Sequence, residues 1–392
     1  MPKVKITFWR AVLIILLVVG AYATYVRFFQ GLGASTNLTD AFPWGLWIGF
    51  DVMCGVMLAA GGFTVTAAVY IFNMKKFKPI ARPTVLTAFL GYQLVVVGLL
   101  FDLGRGYRIW HPLVMWNPHS VMFEVAWCVT LYSIVLSLEF AGVIFERFHL
   151  FKLLQIQKML VIPLVIAGVL LSTLHQSSLG SLYLIVPNKL HPFWYSPLLP
   201  ILFFISAVCV GLAMTIFESS MSSRHFGKQL ELPLILSLGR TLLVMLSIYT
   251  TVRFLDLLHR GAFELVHKGG WETGLFLLEM MLTSVAPICL LLIPKVRENP
   301  KGLYLASVLC LLGFVTNRMN VSITGMEAAS GQHYFPKWTE IGVTLSIIAS
   351  GFFVFAVCVK YLPIFQHEVA YQPIAEPEAL QVEVPELSNV EY

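Results

Sequence analysis

Seven acidic or histidine side chains lie within or beside the long apolar stretches of this sequence. They are Asp51, Asp102, His119, Glu124, His175, Asp256 and Glu279. An ionisable group inside a bilayer costs free energy, so its presence there indicates a function unless a partner explains it. Because these residues recur near one end of successive apolar stretches, we expect a proton-handling site that opens to one side of a membrane.

The first of these carboxyl groups follows a tryptophan-rich segment that begins an apolar stretch. Trp44 and Trp47 stand where amphipathic rings favour the membrane interface, and Asp51 follows about 10 Å deeper than Trp44. A buried hydrogen bond to a neighbouring helix is one role for Asp51. Its depth favours the other role, proton exchange.

Three further side chains extend this pattern. Asp102 and Arg105 are three residues apart and share a helix face, either as an ion pair that closes the helix or beside a proton-coupled site. A helix-capping Asn-Pro pair precedes His119, which we therefore expect on the first helical turn, with Glu124 more than a turn deeper. Histidine titrates near neutral pH, so this pair could relay protons; a structural network is the alternative.

The densest polar cluster is the run from His175 to Ser178, which we expect to end the fifth apolar helix. His175, Gln176 and the adjacent hydroxyl groups could bind a carbonyl or hydroxyl group of a small ring. A polar helix end hydrated by water is the alternative.

Charges in the second half of the chain can pair with one another. Spacings of three and four residues place several of them on one helix face. Together with Arg105 of the first half, which can pair with Asp102, we therefore predict structural ion pairs that involve Arg105, Arg253, Asp256, Glu279 and Arg318.

Two glutamates, Glu139 and Glu218, lie near helix ends on the opposite side. They could begin a proton path from that side, or they could simply occupy the interface.

The six cysteines include no CxxC pair, and no histidine is expected at mid-membrane depth. The sequence therefore predicts no metal site, no haem and no iron–sulfur cluster in this chain.

The composition is that of a polytopic membrane protein, since 58% of the residues are hydrophobic and only 12% are charged. A spanning helix needs about 20 mainly apolar residues. Ten stretches qualify: 8–29, 44–73, 84–103, 119–145, 158–176, 198–217, 233–259, 271–294, 302–324 and 339–361. The net charge of +5 comes from loops rather than from a basic patch, which argues against nucleic acid as a partner.

Lysine and arginine predict the orientation, because cytoplasmic loops carry an excess of them. With the N-terminus inside, 17 of the 26 fall on the inner side, so both termini are expected in the cytoplasm. Lys3, Lys5 and Arg10 precede an apolar run and resemble a signal peptide, but we expect this segment to be retained as a helix. Residues 363–392 are rich in glutamate and predict a disordered acidic tail.

Taken together in their order, several motifs resemble the polysulfide reductase (NrfD/PsrC-like) family of integral membrane subunits, and within it the HybB-like and DsrP-like branch. The motifs are PWGLWIGFD at 43–51, DLGR at 102–105, NPHSVMFE at 117–124, LHQSSLGSL at 174–182, NRMNVSITG at 317–325 and YFPKW at 334–338. The resemblance covers about residues 1–362.

The resemblance implies an all-α protein with two four-helix bundles, formed by helices 2–5 and 6–9, and with flanking helices 1 and 10. The implied divisions are 1–30 for the first helix, 31–182 for the bundle with the quinone site, 183–325 for the second bundle, 326–362 for the last helix and 363–392 for the tail. It also implies a location in the cytoplasmic membrane of a bacterium or archaeon.

The resemblance further implies that this chain reacts with menaquinone or ubiquinone and carries no redox cofactor of its own. Quinone would bind near Trp44, Trp47, Asp51, His119, His175 and Gln176, and protons would pass through Asp51, Asp102, Glu124, Glu139 and Glu218. Electrons would pass through a periplasmic ferredoxin-like iron–sulfur subunit to or from a catalytic subunit or a multihaem cytochrome c, of hydrogenase or sulfur-metabolism type. Loops 104–118, 177–197 and 325–338 would form the docking surface.

Two other functions stay open. A proton-coupled secondary transporter would explain part of the ionisable residues, although such proteins often contain internal repeats and this sequence shows no clear one. A passive membrane anchor would explain the polar residues as structural.

Overall fold

The computed structural model describes residues 8–185, 190–226 and 232–365, and helices account for nearly all of this part of the chain. No strand forms among these residues, where one isolated bridge joins Thr39 and Phe42. Ten of the helices in the described ranges are long and apolar enough to cross a membrane. They are α1 Phe8–Gln30, α2 Trp47–Ile71, α3 Lys75–Asp102, α4 Val121–Arg147, α5 Phe151–Leu182, α6 Leu199–His225, α7 Leu232–His259, α8 Trp271–Leu292, α9 Pro300–Ser330 and α10 Trp338–Tyr361. The predicted all-α class and the ten spanning helices are confirmed.

The ten helices define two ends of the protein. We call the end where α1 begins the inner end and the end where α2 begins the outer end, following the orientation that lysine and arginine predict. Whether the inner end faces the cytoplasm stays a prediction. The predicted acidic tail lies outside the described residues from position 366 onward, as does the charged start of the chain before residue 8.

Several helices are longer than the hydropathy pattern predicts. The largest difference is in α5, which was expected over 158–176 and extends over Phe151–Leu182. Near its end the hydroxyl groups of Ser178 and Ser181 donate hydrogen bonds to carbonyl oxygens one turn earlier. Polar side chains that suggest a loop are thus satisfied within the helix itself. His175 consequently lies about two turns inside the helix rather than at its end.

The second helix is irregular where the other helices surround it. It begins with a π-helical segment, Trp47–Cys54, and its backbone is interrupted at Ala59 and Ala60 in the middle of the span. Irregular backbone at membrane depth is tolerated only where protein or a polar cavity surrounds it. Here α6 closes the gap: a methyl group on Gly211 would come within 2.9 Å of the Ala60 carbonyl group.

Packing between the helices follows small side chains. The interface of α2 with α3 is close because a methyl group on Gly91 would come 2.8 Å from Cβ of Ala59. The sixth helix is central and contacts α2, α5, α7 and α9, whereas α1 packs mainly on α10. These contacts are compatible with two four-helix groups joined at α6, but the division into two bundles stays a prediction.

The closest backbone contact between α8 and α9 gives a first prediction. A methyl group on Gly313 would come 2.5 Å from the backbone of Leu282 and Thr283. We expect Gly313→Ala to force the helices apart and lower the free energy of unfolding by about 1–3 kcal/mol, the usual cost of overpacking. Unfolding by sodium dodecyl sulfate in mixed micelles measures this change.

Gly274→Ala is the matched control, because Gly274 lies in α8 with no heavy atom within 4 Å of an added methyl group. Its stability should stay constant or rise slightly, since alanine is the better helix former. Equal losses for the two variants would contradict the close packing of Gly313.

Candidate functional site

The outer ends of α2, α3 and α10 bring three carboxyl groups into one buried region. Asp51 on α2 is 5% exposed and accepts a hydrogen bond of 2.7 Å from the Thr344 hydroxyl on α10. Gly98 on α3 leaves room for it, since a methyl group there would come 2.7 Å from Cβ of Asp51. Asp102 is close enough to Asp51 to repel its charge. Asp51 therefore has one hydrogen-bond donor and an acidic neighbour.

The cation nearest to this region is not the predicted one. Arg105 is exposed, and no ion pair joins it to Asp102 among the residues described. Instead the buried guanidinium of Arg27 on α1 donates to the carbonyl oxygens of Phe101 and Leu103, next to Asp102. The prediction of a structural ion pair at Arg105 is wrong, because the chain leaves the helix after Asp102 and carries Arg105 into solvent.

The third carboxyl group, Glu340, was missed in the sequence. It is 1% exposed and accepts hydrogen bonds from the backbone of Asn37, from the backbone of Lys337 and from the Tyr334 hydroxyl. The backbone carbonyl oxygen of Glu340 also accepts a hydrogen bond of 3.2 Å from the Trp47 indole. Burial and the adjacent Glu340 raise the pKa of Tyr334, so its hydroxyl stays protonated and donates. Like Asp51, Glu340 is an acidic residue near the outer end of an apolar stretch, and this pattern could have identified it in the sequence.

A second buried group surrounds His175. This side chain is fully buried on α5, and neither ring nitrogen has a hydrogen-bond partner. The Tyr92 ring of α3 lies 5.8 Å from the imidazole ring, centre to centre. Gln176 donates to the Val56 carbonyl oxygen just before the interruption of α2, at 3.2 Å, and its own carbonyl oxygen has no partner. Buried polar atoms without partners are uncommon, so this group is suited to hold a polar ligand or water.

Aromatic side chains lie between this group and the outer end. Trp44 is half-buried and packs edge-on against Tyr183, with ring centres 5.5 Å apart. The Tyr183 hydroxyl donates to the sulfur of Met53 at 3.0 Å. Trp47 is fully buried and held in place by its bond to α10. Both predicted tryptophans thus lie at the outer end of the protein, Trp44 just before α2 and Trp47 in its first turn.

The two predicted proton carriers of α4 lie closer to the surface. Glu124 is exposed at the start of the helix and accepts a hydrogen bond of 2.6 Å from Ser178 on α5. His119 is also exposed, in a turn two residues before α4 begins at Val121. The prediction that His119 occupies the first helical turn is wrong, since Ser120 rather than Asn117 immediately precedes the helix.

The charges of the second half form a separate buried network centred on Glu279. Its carboxylate accepts hydrogen bonds of 2.7 Å from Trp194, 2.7 Å from Asn317 and 2.9 Å from Asn320. Arg253 lies 4.0 Å away and donates to a backbone carbonyl oxygen. Every oxygen of this carboxylate is therefore engaged by protein groups.

Asp256 and Arg318, the other two charges predicted to pair in this half, are engaged as well. Asp256 forms an ion pair of 2.8 Å with Arg260 and accepts a bond of 2.7 Å from Ser196. Arg318 is fully buried, lies over the Phe203 ring at 3.5 Å from its centre and donates to Ser206. Arg253, Asp256 and Glu279 thus take part in ion pairs, as predicted. Arg318 forms no ion pair among the described residues; its guanidinium contacts only neutral groups, so the ion-pair prediction does not hold there.

The two inner-end glutamates differ from each other. Glu218 on α6 is buried, and neither of its carboxyl oxygens has a partner. Glu139 on α4 lines a cavity of about 630 Å³ between α2, α3, α4 and α5. As for metals, no group of three or more His, Cys, Asp or Glu residues converges to form an ion site within the ranges 8–185, 190–226 and 232–365.

The match to known proteins covers most of the chain. The model of the family described as polysulphide reductase, NrfD, matches residues 34–328. A protein of Nitratidesulfovibrio vulgaris is 40% identical over 91% of this chain and 94% of its own length. The probable Ni/Fe-hydrogenase 2 b-type cytochrome subunit of Escherichia coli is 34% identical over 86% of this chain and 87% of its own length. The menaquinone reductase integral membrane subunit of N. vulgaris is 31% identical over 93% of both chains. With its ten spanning helices, this chain is therefore a multi-pass integral membrane protein that belongs to the NrfD polysulphide reductase family.

Proposed function

We propose that this protein is the quinone-reactive membrane subunit of a respiratory electron-transfer complex. The observation that carries the proposal is His175, a fully buried imidazole with no partner on either nitrogen, beside an interrupted helix. A relative at 31% identity is named as a menaquinone reductase subunit, which supports menaquinone over ubiquinone as the ligand.

The residues around His175 fit a quinone headgroup. A quinone supplies two-electron, two-proton chemistry, and its two carbonyl oxygens need hydrogen-bond donors. The His175 imidazole can donate to one of these quinone oxygens. Gln176, Trp44 and Trp47 would hold or enclose the quinone ring. Both His119 and His175 were candidates to bind a quinone oxygen, and burial favours His175. The exposed His119 would instead lie at the outer entrance to the quinone site.

The outer carboxyl groups would exchange the protons. Asp51 and Asp102 lie next to one another in the buried region, with Glu340 beside them. Glu340 is hydrogen-bonded to Tyr334, and protons would pass along this contact towards the outer loops. Glu124, exposed on α4 and bonded to Ser178, would carry protons between the α5 region and the outer surface. A carboxyl group that changes its protonation state is an effective proton carrier at such positions.

The electron partner would dock at the outer end. A periplasmic ferredoxin-like iron–sulfur subunit would contact the outer-end segments 104–118, 177–197 and 325–338 and connect to a catalytic subunit or a multihaem cytochrome c. The second and third of these segments were expected to be loops throughout, but 177–182 belongs to α5 and 325–330 to α9. Loop 104–118 exposes large apolar side chains suited to such a surface, among them Tyr107, Trp110 and Trp116. The complex would lie in the cytoplasmic membrane of a bacterium or archaeon.

One observation supports the transporter alternative. The interruption of α2 at mid-span resembles the broken helices that form binding sites in secondary transporters. A transporter needs no redox partner, so the composition of the purified protein separates the two functions.

The test is the quinone content of the complex purified in mild detergent, before and after His175→Leu. We expect bound quinone together with iron–sulfur or haem c signals in the native complex. Without the imidazole, quinone content should fall about tenfold, the change that corresponds to about 1.4 kcal/mol. Solvent extraction with chromatography measures quinone, and electron paramagnetic resonance and visible spectra report the partners.

His259→Leu is the matched control, since His259 is an exposed histidine at the end of α7. Its quinone content should equal that of the native complex. Full quinone retention by His175→Leu would refute the role of His175. A native protein that purifies alone, colourless and without quinone would refute the proposed function and favour the transporter.

A further inference from the structure

The cavity between the inner ends of α2, α3, α4 and α5 is closed on one side by an ion pair. We call it the inner cavity; its volume of about 630 Å³ lies within the roughly 300–1,000 Å³ that is typical of small-molecule sites. Two of its lining residues, Arg82 of α3 and Glu146 of α4, pair at 2.7 Å, and Arg82 also donates to the Pro363 carbonyl oxygen at 3.2 Å. The wall between α3 and α4 is therefore held by polar contacts, and the charge of Arg82 is neutralised within the protein.

The opening of the inner cavity lies between α2 and α5, and we call it the mouth. Four of the lining residues are exposed there: Tyr70 near the end of α2, Lys78 near the start of α3, and Lys158 and Ile162 on α5. Neither lysine forms an ion pair among the residues described. Lysine and tyrosine near the end of a spanning helix suit contacts with lipid headgroups, because their polar tips reach the interface while their apolar parts stay below it. The mouth thus combines two unpaired positive charges with an apolar side chain.

An exposed apolar stripe runs along α5 from the mouth towards the middle of the span. Met159, Ile162, Ile166 and Leu170 follow at spacings of three and four residues and therefore share a helix face. Each of them is 44–73% exposed. The stripe is about 16 Å long at 1.5 Å per residue, close to half of the roughly 30 Å hydrocarbon core. One acyl chain of the inner leaflet covers the same distance.

The two acidic residues of the inner cavity leave the charge of the mouth in place. Glu146 is bound to Arg82. Glu139 lies deeper, since its carboxylate would be 3.8 Å from a methyl group on Gly168, which follows Lys158 on α5 by ten residues. Ten residues correspond to about 15 Å along the helix. Glu139 is therefore too far below the mouth to neutralise Lys158, and the mouth keeps a net positive charge.

From this geometry we propose that the mouth binds one anionic phospholipid of the inner leaflet. Its phosphate lies between Lys78 and Lys158 and bridges α3 and α5, and one acyl chain follows the apolar stripe of α5. Basic pockets between spanning helices are suited to anionic headgroups. A free phosphate ion could use the two lysines but not the stripe, which is why a lipid fits the mouth better. The site is separate from the quinone site and does not depend on the proposed function.

The test is native mass spectrometry of the intact protein, purified in a neutral detergent together with any subunits that it retains. Phosphatidylglycerol, phosphatidylcholine and inorganic phosphate are added in turn. We expect one phosphatidylglycerol per copy of this chain to bind about tenfold more tightly than phosphatidylcholine, and inorganic phosphate not to displace it. Lys78→Gln/Lys158→Gln should weaken the binding of phosphatidylglycerol about 30-fold, the sum of two lysine contacts with an anionic lipid. Ile162→Trp, which fills the mouth and changes no charge, should weaken the binding of both lipids.

Lys75→Gln/Lys152→Gln is the matched control, because it removes the same charge from two exposed lysines at the inner end that do not line the inner cavity. It should bind phosphatidylglycerol as the native protein does. Equal weakening in the two double variants would overturn the site and leave only a general attraction of the basic inner end for anionic lipid. Displacement by inorganic phosphate, or equally tight binding of phosphatidylcholine, would overturn the assignment to an anionic lipid. Full binding by Ile162→Trp would contradict the place of the acyl chain.

Discussion

Asp51→Asn should lower the rate of quinone turnover about 100-fold while the complex stays assembled and keeps its quinone. General acid–base catalysis by one positioned group contributes roughly 10²–10⁴-fold, and the amide cannot exchange a proton at neutral pH. The fold should survive because asparagine has nearly the same volume, which matters beside Gly98, and its oxygen can still accept the bond from Thr344. Steady-state turnover with a soluble menaquinone analogue measures the loss, and extraction measures the bound quinone.

Asp40→Asn is the control for this prediction, since Asp40 is exposed on the loop that precedes α2. It should react at the native rate. Asp51→Glu restores a carboxyl group but adds a methylene group to a tightly packed position, so a partial recovery is expected. If Asp51→Asn turned over at the native rate, the proposed role of Asp51 would be refuted, and proton exchange would have to pass through the other carboxyl groups.

The number and order of the spanning helices could be predicted because a bilayer requires long apolar stretches, and loops rich in Gly, Pro and Asn separate them. The ends of the helices were less predictable. In α5 the polar run after His175 continues as helix, because serine hydroxyl groups bond back to the preceding turn. The interruption of α2 was also not predictable, since Ala59 and Ala60 are ordinary helix formers and the space at the break is filled by Gly211 of α6.

The candidate site was predictable to the extent that it is charged. Asp51 and His175 stand out in an apolar sequence, and the structure buries both. Thr344 and Tyr92 give no such signal, because hydroxyl side chains are common in membrane helices and only the fold shows which face they occupy. The choice of Arg27 over Arg105 was beyond the sequence as well: it depends on the packing of α1 beside the end of α3, not on spacing along the chain.

Glu279→Leu should cost about 3–5 kcal/mol of unfolding free energy, the range for breaking a buried ion pair by removal of one partner. The three hydrogen bonds alone would not give this loss, since a hydrogen bond between membrane helices averages about 0.6 kcal/mol. The larger part comes from Arg253, which is 1% exposed and would keep a buried charge without its counter-ion. Unfolding by sodium dodecyl sulfate in mixed micelles measures the change, with Glu264→Leu as the control at an exposed glutamate.

The double variant Glu279→Leu/Arg253→Met separates the two causes. If the unpaired charge dominates, removing it should recover more than half of the lost stability, because apolar groups of similar volume can replace a buried pair at little cost. If the hydrogen bonds of Trp194, Asn317 and Asn320 dominate, the double variant should be no more stable than the single one. A single variant within about 0.5 kcal/mol of the native protein would show that this network does not hold α7, α8 and α9 together. The charges of the Glu279 network would then have to be assigned a role in proton or electron transfer.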